Sequence, residues 1–578
     1  MLLIILGVLT LVIGYYIRKT YSYWTRLGVQ QGFVVPIFGD SWQMILGRHS
    51  FADLVRYAYY KCPGTKYSGM YSFHVPLLIV KDPELLKKIA VKDFDHFTDH
   101  MNVLPDDIDP MWSKNLFVLR GKKWREMRSL LSPTFTSSKI KMMFVLMVEC
   151  AENLVQHFSK QEGDILTVEM KDAYTRCTND IIASAAFGIK VDSLKEPNNE
   201  FYVMGKKSTS INSFSKTVQV VICSLWPRLY KLTNMKFFGD DVRNFFRRVI
   251  DETIKDRKEK GVVRADMVQL LMQARKETPD QDENDVIDTG FAVAREIKTD
   301  KEYGIRNKEY GWDRYGRGLY SPRRPARLPT RSRQCRGVCT CTPFGWLIRK
   351  KTQIKELTNE DITAQGLIFF FAGFDSVAGL MCFASYELAV NQDIQNRLRM
   401  EIRDTLEEFD GTITYEGILK MKYMDMVVSE TLRKWPNAVA IDRVCTKPYT
   451  IPPATPNEKP VHLKEGVNIW IPIFAIHRDP QYYPDPDRFD PERFNDENKG
   501  DIKPYTYMPF GLGPRNCIGS RFGLLETKIV LFNVLLHFEL VPVEKTVIPL
   551  KISKGTFQLN SEGGLWLGMK RIKKETDI

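Results

Sequence analysis

Residues Phe510-Gly511-Leu512-Gly513-Pro514-Arg515-Asn516-Cys517-Ile518-Gly519 decide how this 578-residue chain is read. A lone cysteine is usually a small buried hydrophobe. Cys517 instead stands among the residue types that a thiolate ligand for haem iron needs. Gly511 and Gly513 permit sharp bends and a close backbone approach to a flat ligand. Arg515 brings a fixed positive charge two residues away, favouring the ionised sulfur and able to pair with a haem carboxylate. Gly519 removes bulk where the chain enters the apolar run Phe522 to Phe538, which reads as a helix with its positive end at the sulfur. Gly511-Leu512-Gly513 could also open a dinucleotide loop, but that fingerprint needs a third glycine where Asn516 stands.

Working outward, Pro491-Glu492-Arg493-Phe494 follows a turn-rich stretch. Earlier still, Glu430-Thr431-Leu432-Arg433 sets a carboxylate and a guanidinium three apart on one helix face. Thr358 and Asp361 fit a capping box, and a proline-free helix pattern runs from Asn359 to about Val390. It is apolar on most faces, so it should cross the centre of the protein. Within it, Ala372-Gly373-Phe374-Asp375-Ser376 puts a carboxylate and a hydroxyl among phenylalanines, costly unless satisfied or used. A hydroxyl bonded back to the preceding turn is the plain alternative. Trp124 and Arg128, four apart, share a helix face.

The cysteine segment resembles the haem-binding signature of the cytochrome P450 monooxygenases, and the other motifs follow in that family's order. The resemblance implies a mainly α fold with a small β-rich subdomain, the haem-thiolate fold, holding haem b with Cys517 as axial ligand and metal-binding residue. It assigns Trp124, Arg128, Arg443 and Arg515 to the haem propionates, and sets Phe510, Gly519 and Ala372 against the cofactor. Asp375 and Ser376 would relay protons on the distal face. The family usually has Thr where Ser376 stands; Ser keeps the hydroxyl and loses the methyl that restricts its rotamer. Glu430, Arg433 and Arg493 would form a buried network under the cysteine loop.

The implied reaction activates O2 at thiolate-bound iron, inserts one oxygen into a small hydrophobic substrate and releases the other as water. No flavin or nicotinamide fingerprint is present. The resemblance therefore implies electrons from NADPH-cytochrome P450 reductase, with cytochrome b5 as a further partner, docking on the basic face nearest Cys517. The wording around Ala372 is similar to insect detoxifying members. By resemblance the substrate pocket draws on Met111, Trp112, Phe117, Phe369, Ala372, Val439 to Ile441 and Phe557, a lining that selects no one substrate. Two other readings stay open: a haem-thiolate isomerase or dehydratase, and a non-catalytic haem or ligand carrier.

Composition bounds the setting. Ten cysteines without paired spacing argue for a reducing compartment and against a disulfide framework. Residues 1–17 are uncharged and apolar, with Arg18, Lys19 and Arg26 following, which reads as an uncleaved anchor in the endoplasmic reticulum membrane with the rest in the cytosol. A cleaved signal peptide is the rival, but it should carry charge before the apolar run. Residues 18–40 read as a linker, and 41–302 with 352–578 as the catalytic domain. The formal charge of +13 hints at nucleic acid, yet 13 basic residues against only Glu309 and Asp313 lie between Arg306 and Lys351. Nearly all the excess sits in one Arg-, Gly- and Pro-rich block, 303–351, expected to be a disordered insertion rather than a nucleic-acid site.

Overall fold

The computed structural model describes residues 1–101, 109–209, 219, 222, 236–261, 264, 266–276, 357–453 and 459–572. The helices that position the site are α1 (Leu2–Tyr21), α2 (Gly121–Leu131), α3 (Ser137–Ser159), α4 (Met170–Ile182), α5 (Asn359–Val390), α6 (Lys422–Lys434) and α7 (Ser520–His537). The basic block 303–351 lies outside the described residues.

Helix α5 begins where its sequence says it should. The Thr358 hydroxyl accepts from the Asp361 N–H at 3.1 Å, and the Asp361 carboxylate accepts from the Thr358 N–H at 2.9 Å. Two otherwise orphaned donors are thus satisfied. The helix then runs 32 residues to Val390, buried on most faces. It lies against α4, where the Thr178 hydroxyl donates to the Phe374 carbonyl at 2.9 Å and Tyr174 and Ser385 share a 2.7 Å hydrogen bond. Helix α1 is also apolar, but its Leu3–Tyr21 stretch is 0% buried. It extends four residues beyond the apolar run 1–17, through Arg18 and Lys19.

The strands are few and peripheral. Strands β1 (Tyr67–Ser72), β2 (Val75–Val80), β4 (Ile441–Val444) and β7 (Asn468–Ile471) form one sheet in the order β1-β2-β7-β4. Its β2–β7 pairing is parallel and the other two are antiparallel. Strands β3 (Ile165–Glu169), β9 (Trp566–Arg571) and β8 (Phe538–Val541) make a second sheet, and β5 (Tyr449–Ile451) pairs with β6 (Val461–Leu463). Register matters at β4, because its alternation decides which way Arg443 points. The arginine is buried between Asp442 and Val444, which face outward by comparison.

One core joins α3, α4, α5, α6 and α7 through residues such as Tyr174, Met381, Leu432 and Ile529. A second is built from aromatic rings, Phe187, Phe201, Phe246, Phe370 and Phe374 among them. Each fully buried side chain of this size is worth about 1.5–3 kcal/mol over its exposed state. The two cores meet along α5. A mainly helical fold with a small β-rich part is therefore what the sequence implied and what forms.

Candidate haem-thiolate site

The cysteine loop is held by its own backbone. Gly511 N–H donates to the Met508 carbonyl, a tight turn Gly513–Arg515 follows, and Cys517 N–H returns to the Phe510 carbonyl at 2.9 Å. Gly511 and Gly513 have φ of +79° and +67°, in the left-handed region. At Gly513 the demand is also steric, since a Cβ would lie 1.8 Å from the Ala90 carbonyl oxygen. Helix α7 starts at Ser520, three residues after the cysteine.

Cys517 is enclosed by the fold yet accessible, because the surface it presents lines a cavity. Ser376 and Val377 of α5 form one wall of that cavity; Phe510, Gly519 and Phe522 lie on the cysteine side. Burial raises the Cys517 thiol above its usual range, while the Gly519 N–H and the Arg128 charge pull it down. The sequence made Arg515 the neighbour that favours ionised sulfur. In the structure that cation is Arg128, carried by α2 and bonded to the Asn516 carbonyl at 3.0 Å and the Asn516 side-chain oxygen at 2.9 Å. Arg515 points the other way. Its Nε donates to the Thr98 carbonyl at 2.8 Å and its Nη atoms to the carbonyls of Leu116, Phe117 and Leu119. Its guanidinium covers the Trp124 ring at 4.1 Å.

Arg443 completes a group of three cations around the loop. Its Nη atoms donate to the carbonyls of Asp442 and Leu512, whereas its buried Nε has no acceptor among the described residues. The Trp124 indole N–H likewise makes no hydrogen bond there. Desolvation lowers Arg443 to about 10 and Arg515 to about 9, so both remain charged near neutrality. A buried donor without an acceptor is costly unless a ligand supplies one. An accessible thiol, an apolar cavity and unspent donors beside it form the donor set that a dianionic, iron-bearing macrocycle requires, so these residues fit haem.

Across the cavity, the Ser376 hydroxyl bonds back to the Ala372 carbonyl, the plain alternative for that position. The Asp375 carboxylate does not face solvent alone. Lys171 of α4 holds it at 2.6 Å and also donates to the Asp375 carbonyl at 3.1 Å. Nothing in the sequence near Lys171 signals this, for the two residues are 204 apart.

The supporting network forms as the resemblance implied. Arg433 meets Glu430 in a two-pronged pair at 2.7 and 2.8 Å, both side chains fully buried, and its remaining Nη reaches the His477 carbonyl. Arg493 approaches the same carboxylate at 3.6 Å. Sequence reasoning missed His477, whose Nε2 accepts from the Met508 N–H at 2.9 Å and so ties α6 to the cysteine loop. It missed Asn437, a cavity-lining amide, too. Of the expected substrate-pocket residues, Phe369 and Ala372 line this cavity. Trp112 packs on Phe237 and Phe238, Phe117 stacks on His100, and Phe557 rests on Phe51.

The family described as Cytochrome P450 matches residues 31–290 and 346–567. The chain belongs to the cytochrome P450 family. Among curated relatives, Cytochrome P450 9e2 of Blattella germanica is 42% identical over 565 residues, 95% of this chain and 94% of the relative. Probable cytochrome P450 9f2 of Drosophila melanogaster is 37% identical, covering 92% of each chain. Cytochrome P450 6k1 of Blattella germanica is 34% identical across 97% of this chain and 95% of its own length. This P450 is thus of the insect type, a haem-thiolate monooxygenase that uses haem b and oxidises small hydrophobic molecules. These three relatives give no support to the isomerase, dehydratase or carrier readings.

Proposed function

We propose that Cys517 is the sulfur that ligates the haem iron, with Arg128, Arg443, Arg515 and Trp124 arranged around the propionates. The observation that carries this reading is the cavity itself: the Cys517 thiol opens into it opposite Ser376, between α5 and the start of α7. Haem bound there through thiolate would supply activation of O2 and transfer of one oxygen atom to substrate. The protein's own residues divide the remaining tasks. Arg128 and the Gly519 N–H stabilise negative charge on sulfur. Arg443 Nε and the Trp124 indole are donors open to a carboxylate, and Arg515 braces the loop that carries Leu116 to Leu119. Asp375 and Ser376 move protons at the carboxylate and hydroxyl oxygens. Apolar walls at Val377, Phe510 and Phe522 keep bulk water out and admit lipophilic substrates, for which xenobiotics are the class we favour.

Electrons come from NADPH-cytochrome P450 reductase, with cytochrome b5 as a second donor, on the face around Cys517. An exposed α1 whose apolar run ends at Arg18 and Lys19, with Arg26 beyond, supports a single anchor in the endoplasmic reticulum membrane, with the catalytic residues cytosolic. The break in the family match between 290 and 346 supports an insertion at 303–351 within a catalytic domain made of 41–302 and 352–578. Cys517→Ala should abolish the thiolate-type band of the reduced carbon monoxide complex. Retention of that band by the variant would refute the ligand assignment.

A further inference from the structure

Gln365 is an amide where its surroundings call for a hydrocarbon. It lies on α5 with 0% of its surface exposed, at the end of the helix where the aromatic core takes in Leu116 and Phe370. A carboxamide buried there is costly unless both of its ends are satisfied. One segment satisfies both. The Gln365 Oε1 accepts from the Leu116 N–H at 2.9 Å, and its Nε2 donates to the Lys114 carbonyl at 2.8 Å. The side chain thus grips the backbone of a stretch 249 and 251 residues earlier in the chain.

The gripped strap, 109–119, is stiffened from other directions too. Asn115 braces it internally, donating to the Trp112 carbonyl at 2.7 Å and accepting from the Val118 N–H at 3.1 Å. Arg515 of the cysteine loop holds the carbonyls of Leu116, Phe117 and Leu119. The Trp112 ring packs on Phe237 and Phe238 and lies 6.5 Å from that of Phe371 on α5. Lys114 adds an ion pair with Glu360, but the two side chains are 38% and 37% exposed, and such pairs contribute little.

Position along α5 gives the grip its meaning. Phe369, Ala372, Gly373 and Ser376 line the cavity into which the Cys517 thiol opens. Gln365 is four residues before Phe369 and seven before Ala372, the spacing of one helix face. The next step along the cavity's own stripe is therefore covered by the strap. We propose that Gln365 sets how much room a substrate has: by clamping residues 114–116 across the end of that stripe, it fixes a wall that favours compact lipophiles over bulky ones. Gln365 is a positioning residue, since it meets the substrate only through the strap, and no bond is made or broken. The proposal rests on the reading of the Cys517 cavity as the haem site and names which molecules that site admits.

The test uses full-length holoenzyme in lipid vesicles and a set of imidazoles, whose ring nitrogen ligates ferric haem iron and shifts its Soret band. 1-Methylimidazole reads the iron alone, whereas clotrimazole adds bulk in the cavity. Gln365→Met should keep the thiolate carbon monoxide band and bind clotrimazole severalfold more tightly, with 1-methylimidazole binding as before. Gln365→Glu should restore the original ratio of the two Kd values, because burial and the Lys114 carbonyl keep a carboxyl there protonated and able to make both hydrogen bonds. Glu360→Gln, which breaks only the exposed ion pair, should leave the ratio unchanged. An unaltered ratio in Gln365→Met refutes the clamp, and so does a shift shared equally by 1-methylimidazole, which would put the effect at the iron. Failure of Gln365→Glu to restore the ratio, or loss of the carbon monoxide band in Gln365→Met, would make the amide a folding element and overturn the proposal. If 1-methylimidazole shifts no Soret band in the unaltered enzyme, the haem-site reading itself fails.

Discussion

Charge on the Cys517 sulfur depends on which guanidinium reaches it, and chain proximity misleads on this point. Arg515 is two residues away, yet its donors end on the carbonyls of residues about 400 positions earlier. Arg128 comes from a distant helix and lies where its field acts on the thiol. In haem-depleted protein, Arg128→Met should therefore raise the Cys517 thiol further and slow its alkylation at a fixed neutral pH. Arg515→Met should change that rate less. A pH series of iodoacetamide labelling would decide between them, and equal effects of the two variants would contradict the geometry. The motifs lead one to expect both arginines beside the cysteine loop, but which of them acts on the sulfur depends on where α2 meets that loop.

Helix α6 is tied to its surroundings by ions and hydrogen bonds with almost no water to screen them. Glu430→Ala would strand the Arg433 guanidinium, and breaking a buried pair in this way costs about 3–5 kcal/mol. Urea unfolding should register that loss as a lower midpoint. His477 adds a pH dependence. Burial lowers its imidazole from the usual 6.5 to about 3, with the neighbouring Arg433 and Arg478 charges acting in the same direction. The folded state therefore holds it neutral while the unfolded chain would protonate it. Its contribution is fully present above pH 6.5 and is lost as pH falls from there toward about 3, at ~1.4 kcal/mol per pH unit for one group. Thermal melts between pH 4 and 7 should show a shallower acid slope for His477→Gln than for the unaltered enzyme.

For the whole molecule, composition presents two helices with the same credentials. Both α1 and α5 are long and apolar enough to span a bilayer. Their fates differ because α5 is enclosed by α4 and α7, whereas the described residues touch α1 only near its end, as at Tyr21. The net charge is likewise a local matter, since nearly all of its excess lies in 303–351. Removing 303–351 should leave the melting temperature and the carbon monoxide band unchanged. A large fall in either would show that the block joins the catalytic fold.

What the sequence by itself determined is whatever a few neighbouring residues can specify. The capping box at Thr358, the span of α5, the glycine-bent cysteine loop and the Glu430–Arg433 pair on one helix turn all arise from local geometry, which the residue types dictate. Tertiary structure alone decided the pairing of Lys171 with Asp375, the turning of Arg515 toward Thr98, and the grip of Gln365 on Leu116. Each depends on where two separate elements cross, and a crossing is set by the packing of whole faces rather than by any short string of residues.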